Sequence, residues 1–158
     1  MSYYIENIFL CLAVPLILSM LFRKGKQRTF TTFVILGMGC CLLSAYVSSF
    51  FAGYYHAGTA AAVMEITPVC EEVMKFLPLL FYLLVFEPDK QEVISPAIGI
   101  AVGFATFKNV CYLIENGAAD FYDILIRGVS AGSLHLLCGI ALSCGIAYVF
   151  RKKWIMVT

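Results

Sequence analysis

Five apolar stretches of about 20 residues each constrain this chain more than any other feature. A helix needs about that length to cross the hydrocarbon core of a bilayer. Inside lipid every backbone N–H and C=O must be satisfied by the segment itself or by a closed barrel. The stretches run from about Tyr3 to Phe22, from about Phe30 to Tyr54, between Thr67-Pro68 and Glu87-Pro88-Asp89, from about Val93 to Ile114 and from about Gly128 to Phe150. We therefore expect an all-α, polytopic membrane helical bundle of five spans, with residues 1–158 forming one integral membrane domain. Composition agrees: 61% of the residues are hydrophobic and 13% charged, against about half and about a quarter in a soluble domain. So few charges cannot cover a soluble surface, and a net charge of +1 gives no basic stripe for nucleic acid. The first stretch has no basic segment before it, and Arg23, Lys24 and Lys26 follow it, which favours a retained helix over a cleaved signal peptide.

Basic residues set the expected direction. Arg23, Lys24, Lys26 and Arg28 lie between the first two spans, Lys90 between the third and fourth, and Arg151, Lys152 and Lys153 after the fifth. With five spans these fall on one side, and Arg127 alone falls on the other. The positive-inside rule then puts the amino end outside and the carboxyl end in the cytoplasm. The segment from Tyr55 to Ile66 reads as a short interfacial or re-entrant piece, with Thr67 as an N-cap and Pro68 at the first helical position. The stretch from Glu115 to Arg127 reads as a short helix on the outer surface. Gly99 and Gly103, and again Gly128 and Gly132, carry the GxxxG spacing that lets helix backbones approach. The seven cysteines all sit in apolar runs and form no CxxC, so they read as small packing residues rather than a disulfide framework.

Ionisable residues inside the spans carry the functional signal. The third span holds Glu71, Glu72 and Lys75, the fourth Lys108 beside Asn109, and the fifth His135. A charged side chain at mid-membrane costs roughly 2.5–3.5 kcal/mol, so these groups must face inward and find partners. At a rise of about 1.5 Å per residue, all three helices place their polar groups roughly 6–10 Å below the outer surface. Unrelated polar residues have no reason to share a depth, so we expect one layer. Glu71 and Lys75 are four apart, in the favourable order for an intrahelical pair. That leaves Glu72, about 100° round the helix, for a partner on another helix. Glu71, Glu72 and His135 are of the types that supply a general base or a zinc site. His135 alone reads as an interhelical hydrogen-bonding group.

Other chemistries lack their residues. There is no HExxH and no GxSxG, and Asp89, Asp120 and Asp123 all fall in loops rather than pairing inside spans. His56 and Glu65 read as outer-loop or interfacial groups, and Tyr82, Tyr112 and Trp154 as packing or interface aromatics. A transporter needs a polar path to both faces, and the polar groups occupy only the outer layer.

These residues resemble a known pattern. Glu71-Glu72-Val73-Met74-Lys75 is similar to the EExxK motif of the PrsW family of intramembrane metalloproteases. Gly103-Phe104-Ala105-Thr106-Phe107-Lys108-Asn109 is similar to that family's GFAxxEN, and His135 falls where the family has its motif histidine. The resemblance covers about 67–148 and extends more distantly to CAAX prenyl proteases, bacteriocin-processing membrane proteases and a scaffold subunit of gamma-secretase. It implies a protease that cleaves a membrane-associated protein near the outer face of a cell membrane, in a bacterium the plasma membrane. It implies a Zn2+ cofactor, Glu72 and His135 as metal ligands, and Glu71, Glu72, His135 and Asn109 as catalytic residues. Lys75, Phe104 and Lys108 are the supporting motif positions. Lys108 departs from the pattern, because it stands where the family has glutamate. A protonated ammonium cannot ligate a metal. The alternative is therefore an inactive relative that acts as a membrane scaffold or binding protein, with Lys108 paired to Glu72.

Overall fold

The computed structural model describes residues 2–116 and 121–155. Asp120 and the side chains of Lys90, Arg151, Lys152, Lys153 and Trp154 lie outside the described residues. The described residues are helical with no strand: α1 (Ser2–Ser19), α2 (Lys26–Tyr54), α3 (Thr59–Ala61), a π-turn (Ala62–Ile66), α4 (Thr67–Phe86), α5 (Lys90–Asn116) and α6 (Phe121–Ile155). Three helices are long and apolar enough to cross a membrane: Lys26–Tyr54, Glu92–Glu115 and Phe121–Ile146. Ile5–Ser19 is a shorter apolar helix. α4 has 20 residues, apolar apart from Glu71, Glu72 and Lys75. Length and apolarity thus make this a multi-pass protein embedded in a membrane.

The turns are built by backbone conformation. Gly25, between α1 and α2, has φ 57° and ψ −135°, which a side chain strongly disfavours. Glu87 takes a left-handed conformation after α4, and the N–H of Glu92 bonds the carbonyl of Asp89 to start α5. Three local expectations change. Thr67 is not an N-cap: helical backbone runs straight through it from the π-turn, and its hydroxyl donates back to the carbonyl of Ala62 at 2.9 Å. The segment before it is therefore a helical lead-in to α4. The stretch after Glu115 is not a separate surface helix, because α6 starts at Phe121 and runs unbroken into the apolar stretch, with Asp123 in its first turn.

α5 is the centre of the bundle, packed between α2 and α6, with α4 against α2 and α5. Gly103 and Gly37 make the α2–α5 contact possible. A Cβ on Gly103 would fall onto the carbonyl of Val34, and one on Gly37 onto the carbonyl of Ile100. Gly99 meets Phe30 and Phe33 in the same seam. Among the described residues Gly128 and Gly132 instead have nothing within 4 Å, so the second GxxxG makes no close contact there. Phe33, Leu79, Leu83, Val93, Ala97, Ile100 and Ile146 form one buried cluster. A second, containing Ala13, Met38, Cys40, Cys41, Phe104 and Phe107, adjoins the charged layer. Cys70 is also buried, and all seven cysteines are free.

Candidate functional site

The charged groups of α4, α5 and α6 meet in one layer. α4 runs through this layer with Glu71 and Lys75 buried at 7% and 4% exposure, while Glu72 turns toward the outside at 46%. From α5, Lys108 donates to both carboxylate oxygens of Glu71, at 2.6 and 2.7 Å. From within α4, Lys75 donates to Oε1 of Glu72 at 2.5 Å. The Nζ of Lys75 also lies 3.2 Å from Nδ1 of His135 on α6, which is itself buried. Charge-assisted bonds of this length are among the stronger hydrogen bonds in proteins. Four charges in apolar surroundings thus become two ion pairs.

The pairing exchanges the expected partners. Lys75 holds Glu72 rather than Glu71, and Lys108 holds Glu71 rather than Glu72. Glu71 faces α5 and Glu72 does not, so the interhelical lysine reaches Glu71. Lys75 then turns to the carboxylate three residues before it. Both i+3 and i+4 neighbours lie on one helix face, so the rotation of α4 decided the outcome.

Phe104 sits between the two pairs. It is fully buried, with the Lys75 ammonium 4.8 Å and the Lys108 ammonium 5.9 Å from its ring centroid. The His135 ring packs on it at 5.0 Å. A ring face attracts cations and excludes water. One aromatic of the motif therefore holds both lysines and the histidine. Asn109, next along α5, has a buried side-chain oxygen with no hydrogen-bond partner among the described residues.

A cavity of about 460 Å³ opens on the Glu71–Lys108 side, lined also by Cys41, Tyr46, Cys111 and Arg127. The guanidinium of Arg127 lies 3.2 Å from the centroid of the Tyr112 ring, and its Nε is buried without a hydrogen-bond partner among the described residues. Arg127 and Tyr112 read in the sequence only as a topology charge and an interface aromatic. Its isolation from the other basic residues along the chain is the one sequence signal for it. His56 is exposed in the turn after α2, and Glu65 lies in the π-turn, so neither joins the layer.

The donor set does not suit a divalent metal in this arrangement. With Lys75 as an ammonium, which only donates, Nδ1 of His135 is the acceptor of that contact and the neutral ring would carry its proton on Nε2. Neither ring nitrogen then offers a lone pair. Both oxygens of Glu71 are taken by Lys108, and Glu72 has only one oxygen outside its bond to Lys75. Among the described residues no group of three His, Cys, Asp or Glu side chains could hold a metal ion. The expected pair of ligands, Glu72 and His135, are instead both bonded to one lysine.

A polytopic helical membrane protein with a buried carboxylate, lysine and histidine layer is the class that fold and site define. The family model described as PrsW family intramembrane metalloprotease matches residues 26–157. The chain belongs to that family. The match begins at the start of α2, well before the motif-bearing part. No curated protein and no solved structure matches the chain.

Proposed function

We propose that this chain is a non-hydrolysing member of its protease family, which binds a membrane-associated protein segment at the cavity beside Glu71. The observation that carries the reading is the two-point grip of Lys108 on Glu71. A carboxylate bonded at both oxygens to an ammonium is a poor base and a poor ligand, because either role must first break the pair. The cavity beside it is large enough for a few side chains and lies against the ion pair. In this reading Glu71, Glu72, Lys75, Lys108 and His135 form a rigid floor. The five spans, the outside amino end and the plasma-membrane location belong to the same proposal.

One observation favours the second reading, hydrolysis near the outer face with Glu71, Glu72, His135 and Asn109. The buried oxygen of Asn109 has no partner among the described residues, and an unsatisfied buried acceptor costs about 1–3 kcal/mol unless a ligand or water completes it. Metal analysis and a membrane-peptide cleavage assay separate the two readings. The unaltered protein is expected to purify with no stoichiometric zinc and no cleavage activity, and Lys108→Glu to gain zinc. Stoichiometric zinc in the unaltered protein, with zinc and cleavage both lost in Glu72→Ala, overturns the first reading and establishes the second.

A further inference from the structure

At the opposite end of the bundle, the turn between α1 and α2 forms a second cavity, of about 450 Å³, lined by Arg23, Lys26, Gln27, Phe30 and Ser95. We propose that this cavity binds the phosphate of an anionic phospholipid headgroup. Its lining contains two cations and no carboxylate. The acidic residues at this end, Glu87, Asp89 and Glu92, do not line it, and among the described residues none is ion-paired with Arg23 or Lys26. Arg23 is held in place: its Nη1 donates to Oγ1 of Thr31 at 3.0 Å, and that threonine is buried and bonds on to the carbonyl of Gln27. A fixed guanidinium retains donors for a phosphate with little ordering cost. Gln27 and Ser95 add neutral donors suited to ester or glycerol oxygens.

The lipid source, rather than a free phosphate, is favoured by what surrounds the cations. Leu21 and Phe22, immediately before Arg23, are 76% and 89% exposed, and Phe30 forms an apolar wall. Arg23 thus sits between outward-facing apolar side chains and the end of a membrane-spanning helix. An amphiphile places its phosphate and its acyl chains in that same order.

Native mass spectrometry of the full chain in neutral detergent tests this, with phosphatidylglycerol and phosphatidylcholine as probes. The unaltered protein should retain phosphatidylglycerol in preference. Arg23→Ala with Lys26→Ala removes two charge-assisted contacts and should weaken that retention at least ~10-fold. Lys24→Ala with Arg28→Ala removes the same charge outside the cavity and should change it by about threefold or less. Ser95→Leu fills the cavity at constant charge and should also weaken retention, which keeps the test decisive where the double variant fails to fold. Equal losses in the two charge pairs, or no preference over phosphatidylcholine, overturn the site. Inorganic phosphate bound by titration calorimetry as tightly as phosphatidylglycerol overturns the lipid assignment.

Discussion

The pair between Lys108 and Glu71 can be removed from either side, and the two removals should not cost the same. Lys108→Met leaves a carboxylate that is nearly enclosed and has lost the donor to both oxygens. Breaking a buried pair costs about 3–5 kcal/mol. The Lys108 side chain is 33% exposed, so its end of the pair is partly solvated, and about 2–3 kcal/mol is the better figure. Glu71→Gln leaves the more open ammonium, which can turn toward the cavity, and should cost about 1 kcal/mol. The double variant leaves no uncompensated charge and should also cost about 1 kcal/mol, giving a coupling of about 2–3 kcal/mol. The assay is reversible unfolding in mixed micelles titrated with dodecyl sulfate and followed by circular dichroism. A coupling below about 0.5 kcal/mol, the size expected of a solvated surface pair, would refute the view that these two residues satisfy each other.

Two further outcomes follow from the packing and the charge pattern. Gly103→Ala should destabilise the protein by about 2 kcal/mol or more, because the new methyl meets the backbone of α2, whereas Gly132→Ala should be neutral or stabilising by up to about 1 kcal/mol, because nothing lies there and alanine is the better helix former; the same unfolding titration checks both. A single cysteine at position 121, introduced by Phe121→Cys in a cysteine-free background, should react with a membrane-impermeant maleimide on intact cells, and Lys24→Cys should react only after lysis, with the reverse pattern overturning the proposed direction.

Much of this arrangement was legible in the residues, and the parts that were not share a cause. The helices follow from apolar length, and the meeting of α4, α5 and α6 follows from depth, since rise per residue converts sequence position into height. Rotation about each helix axis has no such ruler. Glu71 and Glu72 sit at nearly one height, and only the azimuth of α4 decides which faces Lys108; the π-turn, with its extra residue, alters that azimuth without an obvious mark in the sequence. The glycines make the same point. Gly99–Gly103 and Gly128–Gly132 have identical spacing, yet one pair meets α2 and the other meets nothing within 4 Å among the described residues. The place of Arg127 in the cavity wall has no mark in the sequence, because that cavity is formed by residues far away along the chain.

The separation in sequence between Glu71 and its cation has a consequence for biogenesis. Lys108 follows Glu71 by 37 residues, and His135 follows Lys75 by 60. At roughly 5–20 residues per second of synthesis, a ribosome delivers Lys108 about 2–7 s after Glu71, and His135 about 3–12 s after Lys75. During that interval α4 has an acidic group without its final counter-ion, so the helix must wait in the insertion machinery or in a water-filled vestibule until α5 arrives beside it.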